Sequence, residues 1–386
     1  MIERAIASVA RLRWTQYPVI TITGPRQSGK TTLARALFPE VRYVNLEMPD
    51  LRAAALADPR DFLAHHPAPA IFDEVQFVPS LLAYIQAEVD EAGTNSRFIL
   101  TGSHQPALRA ALSESLAGRT GLLELLPFSL RELAEAGICR SRDEWLYTGF
   151  LPRLHAPNPP PPEALYADYF RTYVERDVRQ LVNLRRLAPF ETFLRCLAGR
   201  IGQLLNVESL ASDVGVSPSA IRDWLSVLEA SFVVFLLRPY YRNFGKRFVK
   251  SPKVYFTEPG LAAWLLGIRG PAHAATHPLM GGLFENLVIV DFLKNRLNAG
   301  LSPDLWFMRT SNGLEADLVV EDGPNLDLHE IKAAGTFHPH MTGSLRRLRA
   351  TLPGVRSATV IYAGEEHASV DGIAVTPFRP APGDKE

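Results

Sequence analysis

The segment GPRQSGKTT at residues 24–32 gathers residue types suited to holding a polyphosphate. Gly24, Gly29, Lys30 and Thr31 fill every fixed position of a G-x-x-x-x-G-K-[ST] loop, with a β-branched run before it and a helix-forming run after it. The two glycines let Pro25, Arg26, Gln27 and Ser28 turn their backbone N–H groups inward around phosphate oxygens. The helix that follows aims its positive dipole end at the same point. Lys30 is then suited to the β- and γ-phosphates and Thr31 to a Mg2+ ion, with Thr32 completing the loop set. Asp73 and Glu74 end a short apolar run 43 residues beyond Lys30. In enzymes with such a loop an Asp at this point holds Mg2+ and an adjacent Glu polarises the attacking water, so Asp73 is the metal residue and Glu74 the general base. The run RFILTGS at residues 97–103 ends in small polar residues that suit a place beside the γ-phosphate. Ser103 is the first choice for orienting water and Thr101 the second. Arg119, directly after Gly118, is a candidate for stabilising transition-state charge, within the chain or from a neighbouring subunit.

A second set lies near the C-terminus. Glu285 sits in the helix-forming run GLFENLVIVDFL, Asp317 leads into LVV, and Glu330 and Lys332 share one face of a strand, because strand side chains alternate. An Asp, then Glu-x-Lys thirteen residues later, with a Glu on a preceding helix, resembles the PD-(D/E)xK nuclease arrangement. That resemblance implies Mg2+ held by Asp317 and Glu330, water positioned by Lys332, and a shell completed by Glu285. The competing reading is a solvated Glu-x-Lys ion pair on a fold kept for binding. A third feature is electrostatic. Between Glu229 and Glu258 there is no carboxylate, while Arg238, Arg242, Lys246, Arg247, Lys250 and Lys253 give a local charge of +6, interleaved with Tyr240, Tyr241, Phe244 and Phe248. Arg242, Lys246, Arg247 and Lys250 are candidate DNA or RNA contacts on a basic hairpin spanning 238–253. Against this, the helix expected to read bases, at 218–229, carries Asp223 and Glu229 beside Arg222.

These residues need elements to carry them. Short apolar runs at 18–23, 42–46, 70–72 and 97–100 alternate with helix-forming stretches such as 51–65 and 80–92, which indicates a mostly parallel α/β sheet. The stretch HAPNPPPPEA at 155–164, with five prolines in six residues, reads as an extended connector. Beyond it, helical spacing runs to about residue 205. Gly215 then closes one helix and Ser217-Pro218 opens the next, as in a helix-turn-helix. Strands expected at 231–237 and 247–256 would add a hairpin and make a winged helix. The 386 residues point to two or three domains, taken as 1–154, 155–256 and 257–386. Equal numbers of basic and acidic residues, 41 of each, exclude a protein coated in positive charge. The two cysteines, Cys139 and Cys196, exclude a disulfide framework and a Cys/His zinc cluster. With no signal-peptide pattern and no membrane-length apolar run, the expectation is a soluble cytoplasmic protein.

The residues GPRQSGKTTL, IFDEVQ, LTGSHQ, LAGR and LPFSLREL resemble the N-terminal module of a widespread prokaryotic family of AAA+ superfamily ATPases. YFRTYVERDV, the helix-turn-helix, and the segment from VYF through GGLFENLV to LHEIKAA are similar to that family's C-terminal domain of unknown function. The resemblance implies an additional-strand P-loop fold that binds and hydrolyses ATP with Mg2+, and it covers nearly the whole chain. One departure is TEPGL at 257–261, where Glu258 stands in place of the family's usual Asp; it is assigned no role. The expectation is an α/β P-loop NTPase joined to a helical, winged-helix segment and a C-terminal α/β nuclease-like domain. It would couple MgATP hydrolysis to nucleic acid, with the option of self-assembly. The alternatives are a nucleotide-controlled protein-interaction switch and an ATP-gated Mg2+-dependent nuclease.

Overall fold

The computed structural model describes residues 2–103, 106–172, 188–240, 251–310 and 313–379. A helix, α1 (Ala7–Gln16), leads into β1 (Val19–Gly24), and α2 (Lys30–Leu37) follows the glycine-rich turn. All six residues of β1 are buried, as expected of a strand covered on both faces. Next come β2 (Arg42–Asn45), α3 (Pro49–Ala57), α4 (Pro59–His65), β3 (Ala70–Asp73), α5 (Leu81–Ala92), β4 (Phe98–Ser103), α6 (Pro106–Ser115) and β5 (Thr120–Glu124). The single helix expected over 51–65 is two. Pro59 cannot continue the first, and the Asp58 carboxylate accepts the N–H groups of Arg60 and Asp61 at 3.1 and 3.0 Å, starting the second.

The five strands are parallel and lie in the order β2-β3-β4-β1-β5. Thus β4 is inserted between the glycine-loop strand and the acidic strand, the additional-strand arrangement that the resemblance implies. Side chains alternate between two cores. Ile20, Ile22, Ile71 and Ile99 pack with Leu33 and Ala34 of α2 on one face. Phe72, Phe98 and Leu100 pack with Leu81, Leu82 and Ile85 of α5 on the other.

The middle of the chain is helical: α7 (Leu130–Glu135), α8 (Arg142–Thr148), α9 (Pro162–Tyr169), α10 (Ala188–Ala198), α11 (Val207–Val214) and α12 (Pro218–Ala230). The α11–α12 turn forms as the sequence implies. Gly215 takes φ 75° at the C-cap of α11, and the Ser217 hydroxyl accepts the N–H of Ala220 at the start of α12. One core runs across the proline-rich connector: Trp145, Phe150 and Leu154 before it pack with Tyr166, Phe193 and Trp224 after it.

Then β6 (Val234–Pro239) and β7 (Lys253–Phe256) pair antiparallel, Leu237 opposite Lys253. Residues 241–250, which would form the tip of the expected wing, lie outside the described residues. β6 also runs parallel to β8 (Leu305–Arg309), so the pair forms one edge of a larger sheet. That sheet adds β9 (Glu315–Asp322), β10 (Asn325–Lys332), β11 (Val355–Tyr362), β12 (Ala368–Val370) and β13 (Ile373–Pro377), in the order β12-β13-β11-β10-β9-β8-β6-β7. Between β7 and β8 lie α13 (Pro259–Leu265), α14 (Pro271–Thr276) and α15 (Met280–Asn298), and α16 (Gly343–Thr351) precedes β11. Phe284, Val288 and Leu293 of α15 cover one face, on Leu318, Ile331 and Ile361. Leu345 and Leu348 of α16 cover the other, on Val319, Leu328 and Val360. Among the described residues, no helix is long and apolar enough to cross a membrane.

Glu258, which the sequence leaves without a role, is buried and ties two units together. Its Oε1 accepts the Phe150 N–H at 2.8 Å and the Tyr166 hydroxyl at 2.8 Å, and it caps α13 through the Gly260 N–H at 3.4 Å. Gly149 is needed beside it, because a Cβ there would meet Glu258 Oε1 at 2.0 Å. Glu258→Ala strands these buried donors and is expected to cost about 2–4 kcal/mol in urea denaturation, with a smaller loss for Glu258→Gln, which retains an acceptor.

Candidate active site

The glycine loop sits at the carboxyl end of the parallel sheet, where such sheets bind ligands. Gly24 has φ 154°, and a Cβ there would lie 2.1 Å from the Leu125 carbonyl oxygen, so no other residue fits. Gln27 (φ 61°) and Gly29 (φ 94°) complete the turn into α2. Lys30 is buried inside the loop, and its Nζ donates to the carbonyls of Gly24 (3.2 Å) and Pro25 (2.8 Å). Burial pulls its pKa down to about 8 against the opposing pull of Glu74 and Asp73, so it is poised to gain from an added negative charge. The Ser28 hydroxyl in the loop is buried, with no partner among the described residues.

Asp73, at the tip of β3, is the hub of the site. Thr31 Oγ1 donates to its two carboxylate oxygens at 3.0 and 2.9 Å, the Tyr43 hydroxyl donates at 2.7 Å, and Thr101 donates to Oδ1. Burial and the Asp73 carboxylate hold the Tyr43 phenol well above its ordinary pKa, so it remains a donor. The structure thus brings Thr31 and Asp73 together as the proposed metal pair, and the register Gly24 opposite Ser103 brings β4 beside them. Ser103 is buried and its hydroxyl has no partner among the described residues, which suits a group that would contact phosphate or water. Thr101, the second choice, is committed to Asp73 instead. Glu74 follows in a left-handed conformation, φ 58° and ψ 44°, and Gln76 donates to its carboxylate. A strained non-glycine residue at this position is a mark of functional sites.

Arg119 is placed elsewhere. It precedes β5, level with Val19 at the start of β1 rather than with Gly24 at its end, and its guanidinium pairs with Asp90 at 2.6 Å. Parallel strands put these two ends of the sheet about 16 Å apart, so within one chain Arg119 does not reach the loop. Three contributors are not singled out by sequence reasoning: Tyr43, Gln76 and Arg4. Arg4 is buried and braces the loop from behind, donating to the Ser28 carbonyl at 2.8 Å, the Leu126 carbonyl at 2.7 Å and Glu132 at 2.8 Å. Gln76 is the last letter of the IFDEVQ motif, which is the signal that could find it; nothing local marks Arg4 or Tyr43. Beside the loop, a cleft of about 870 Å3 is lined by Arg4, Gly29, Thr32, Leu33, Phe128 and Pro152.

The second constellation also assembles, around an unexpected member. Glu285 of α15, Asp317 of β9, and Glu330 and Lys332 of β10 share one neighbourhood, together with Glu315, which sequence reasoning passes over. Lys253 lies among them, 2.9 Å from Glu285, 2.7 Å from Glu315 and 3.5 Å from Asp317. Burial and the Asp317 charge push the Glu285 and Glu330 carboxyls up to about 7. Lys253 is therefore no part of an exposed basic surface, contrary to the expected hairpin. Arg238, at the other end of that stretch, pairs with Glu229 at 2.9 Å. Arg242, Lys246, Arg247 and Lys250 lie outside the described residues.

Comparison with known proteins divides the chain in three. Residues 16–134 match an AAA domain, residues 139–272 a domain of unknown function, DUF8612, and residues 280–380 another, DUF4143. The uncharacterized protein Rv2008c of Mycobacterium tuberculosis is 34% identical over 381 residues, covering 97% of this chain and 83% of that protein. An uncharacterized protein of Haemophilus influenzae is 22% identical over 388 residues, covering 92% and 91%. Among solved structures, a Walker-type ATPase of Pyrococcus abyssi aligns with a TM-score of 0.42 at 16% identity, over 69% of this chain and 96% of that one. AMPPCP-bound DnaA from Aquifex aeolicus aligns with a TM-score of 0.32 at 16% identity, over 58% and 84%. With a complete glycine loop on a five-stranded parallel sheet and a mycobacterial relative that matches across 97% of the chain, the chain belongs to that relative's family, P-loop proteins of the AAA+ ATPase type whose C-terminal unit is DUF4143.

Proposed function

We propose that this chain binds and hydrolyses MgATP at the glycine loop. The observation that carries the reading is the pairing of Thr31 Oγ1 with Asp73 beside a buried Lys30 and a strained Glu74. Thr31 and Asp73 supply the hard oxygen donors that Mg2+ prefers, and the ion would neutralise phosphate charge there. The loop N–H groups and Lys30 hold the β- and γ-phosphates, the buried Ser28 and Ser103 hydroxyls add donors, and the cleft beside α2 receives the nucleoside. Glu74 takes a proton from water as its oxygen attacks the γ-phosphorus, and the bond to the β-phosphate oxygen breaks to release ADP and phosphate. A charge-stabilising role for Arg119 requires a second copy of the chain.

The output we assign to this cycle is action on nucleic acid through Arg242, Lys246, Arg247 and Lys250, supported by their density and the lack of a carboxylate among them. The internal neutralisation of Lys253 and Arg238 favours a second reading, a nucleotide-controlled switch that binds protein. ATP turnover measured with and without DNA across a salt series separates them. Stimulation that grows as salt falls supports the first; absence of binding at low salt removes it and leaves the switch.

A further inference from the structure

The C-terminal pocket resembles a metal-dependent nuclease centre in residue types, yet its donor set does not fit a metal ion. Among the described residues, no three His, Cys, Asp or Glu side chains converge to hold one. Divalent cations such as Mg2+ need several oxygens at roughly 2.0–2.6 Å. Here one oxygen each of Glu285, Asp317 and Glu330 is already committed. Glu285 Oε1 accepts from both Lys253 and the Tyr255 hydroxyl, at 2.9 and 2.5 Å. Asp317 Oδ2 accepts the Ile331 N–H at 2.8 Å, and Glu330 Oε1 accepts from Lys332 at 2.5 Å. The remaining oxygen of Glu330 is buried without a partner among the described residues.

We propose that Lys253 is the built-in cation of this pocket, its ammonium taking the place of a divalent metal between Glu285, Glu315 and Asp317, so that the unit holds a nuclease-like site closed to metal chemistry. The ammonium has three N–H donors, and three carboxylates lie 2.7 to 3.5 Å from it. An ammonium at these distances and a metal bridging the same oxygens exclude each other by size and by charge. Lys253 is not a swinging side chain. Its backbone pairs with Leu237 on one side and bridges to Leu204 on the other, and only 4% of its side chain is exposed. Gly202, whose N–H donates to the Val254 carbonyl at 3.0 Å, closes the pocket beside Glu285, where a Cβ would stand 3.3 Å from Oε2. The pocket thus works as a charged joint that fixes β7 to α15 and β9.

The test is Mn2+ binding to the full-length chain without nucleotide, followed by electron paramagnetic resonance of free Mn2+ and by the thermal midpoint. Asp317→Asn serves as the control that isolates this pocket from the glycine loop. Wild type is expected to bind no Mn2+ that Asp317→Asn removes. Lys253→Met empties the cation position and is expected to gain one Mn2+ per chain, with a thermal midpoint that rises as Mn2+ is added; Lys253→Met/Asp317→Asn loses both effects. Lys253→Arg keeps a cation and is expected to gain nothing. Three results would overturn the proposal: a wild-type Mn2+ site lost in Asp317→Asn, Mn2+-dependent DNA cleavage by wild type lost in Asp317→Asn, or a folded Lys253→Met that gains no Mn2+. If Lys253→Met does not fold, the comparison of wild type with Asp317→Asn still decides the matter.

Discussion

Glu74→Gln is expected to lower ATP turnover at least about a hundredfold while leaving ATP affinity within a few-fold of wild type, because a general base contributes about 10²–10⁴ in rate and little to substrate binding. Glutamine keeps the size of the side chain and its link to Gln76, so the left-handed backbone at residue 74 need not change. What disappears is the carboxylate that accepts the proton from water. The measurable pair is the steady-state rate and the dissociation constant for ATP. Loss of rate with loss of affinity would instead point to collapse of the loop region. Equal rates would place the base elsewhere.

Lys30→Ala should act on binding. Its buried ammonium now holds the Gly24 and Pro25 carbonyls, and a polyphosphate offers stronger, charged acceptors in their place. A hydrogen bond to a charged group contributes about 1.5–3 kcal/mol, so ATP affinity should fall roughly 10- to 100-fold, read by calorimetry. Because the same side chain also braces the loop, the variant's thermal midpoint should be recorded beside the affinity. Lys30→Arg, which retains charge in the wrong shape, is a useful companion.

The parts of this site that are local in the chain are legible in the amino-acid sequence alone. Gly24 through Thr32 form one turn, and the chemistry of the turn is written in consecutive letters. Asp73 and Glu74 follow because a buried strand that ends in carboxylates beside such a loop has few other uses. The order of the strands enters only through the family resemblance, since nothing in the run RFILTGS says that β4 lies between β1 and β3. Strand direction decides only the within-chain option for Arg119: it precedes β5 and so lies at the far end of the sheet from the glycine loop, which the pair Gly118-Arg119 does not reveal.

The C-terminal pocket shows the same limit in another form. Glu285, Asp317, Glu330 and Lys332 are recoverable from spacing because strand alternation is regular. Lys253 counts as one more positive charge in a basic stretch until β7 turns it inward against three carboxylates, a consequence of pairing with Leu237 and Leu204 that no local pattern records. Glu258 is similar, a conspicuous residue whose work is done with Phe150 and Tyr166, about a hundred residues away in sequence.

The most direct test of the central claim is phosphate release from MgATP by the full-length chain, measured for wild type and Lys30→Ala in parallel. Hydrolysis by wild type with Lys30→Ala at background is the expected result. Equal turnover by the two would contradict the account, because the activity would then lie outside the glycine loop.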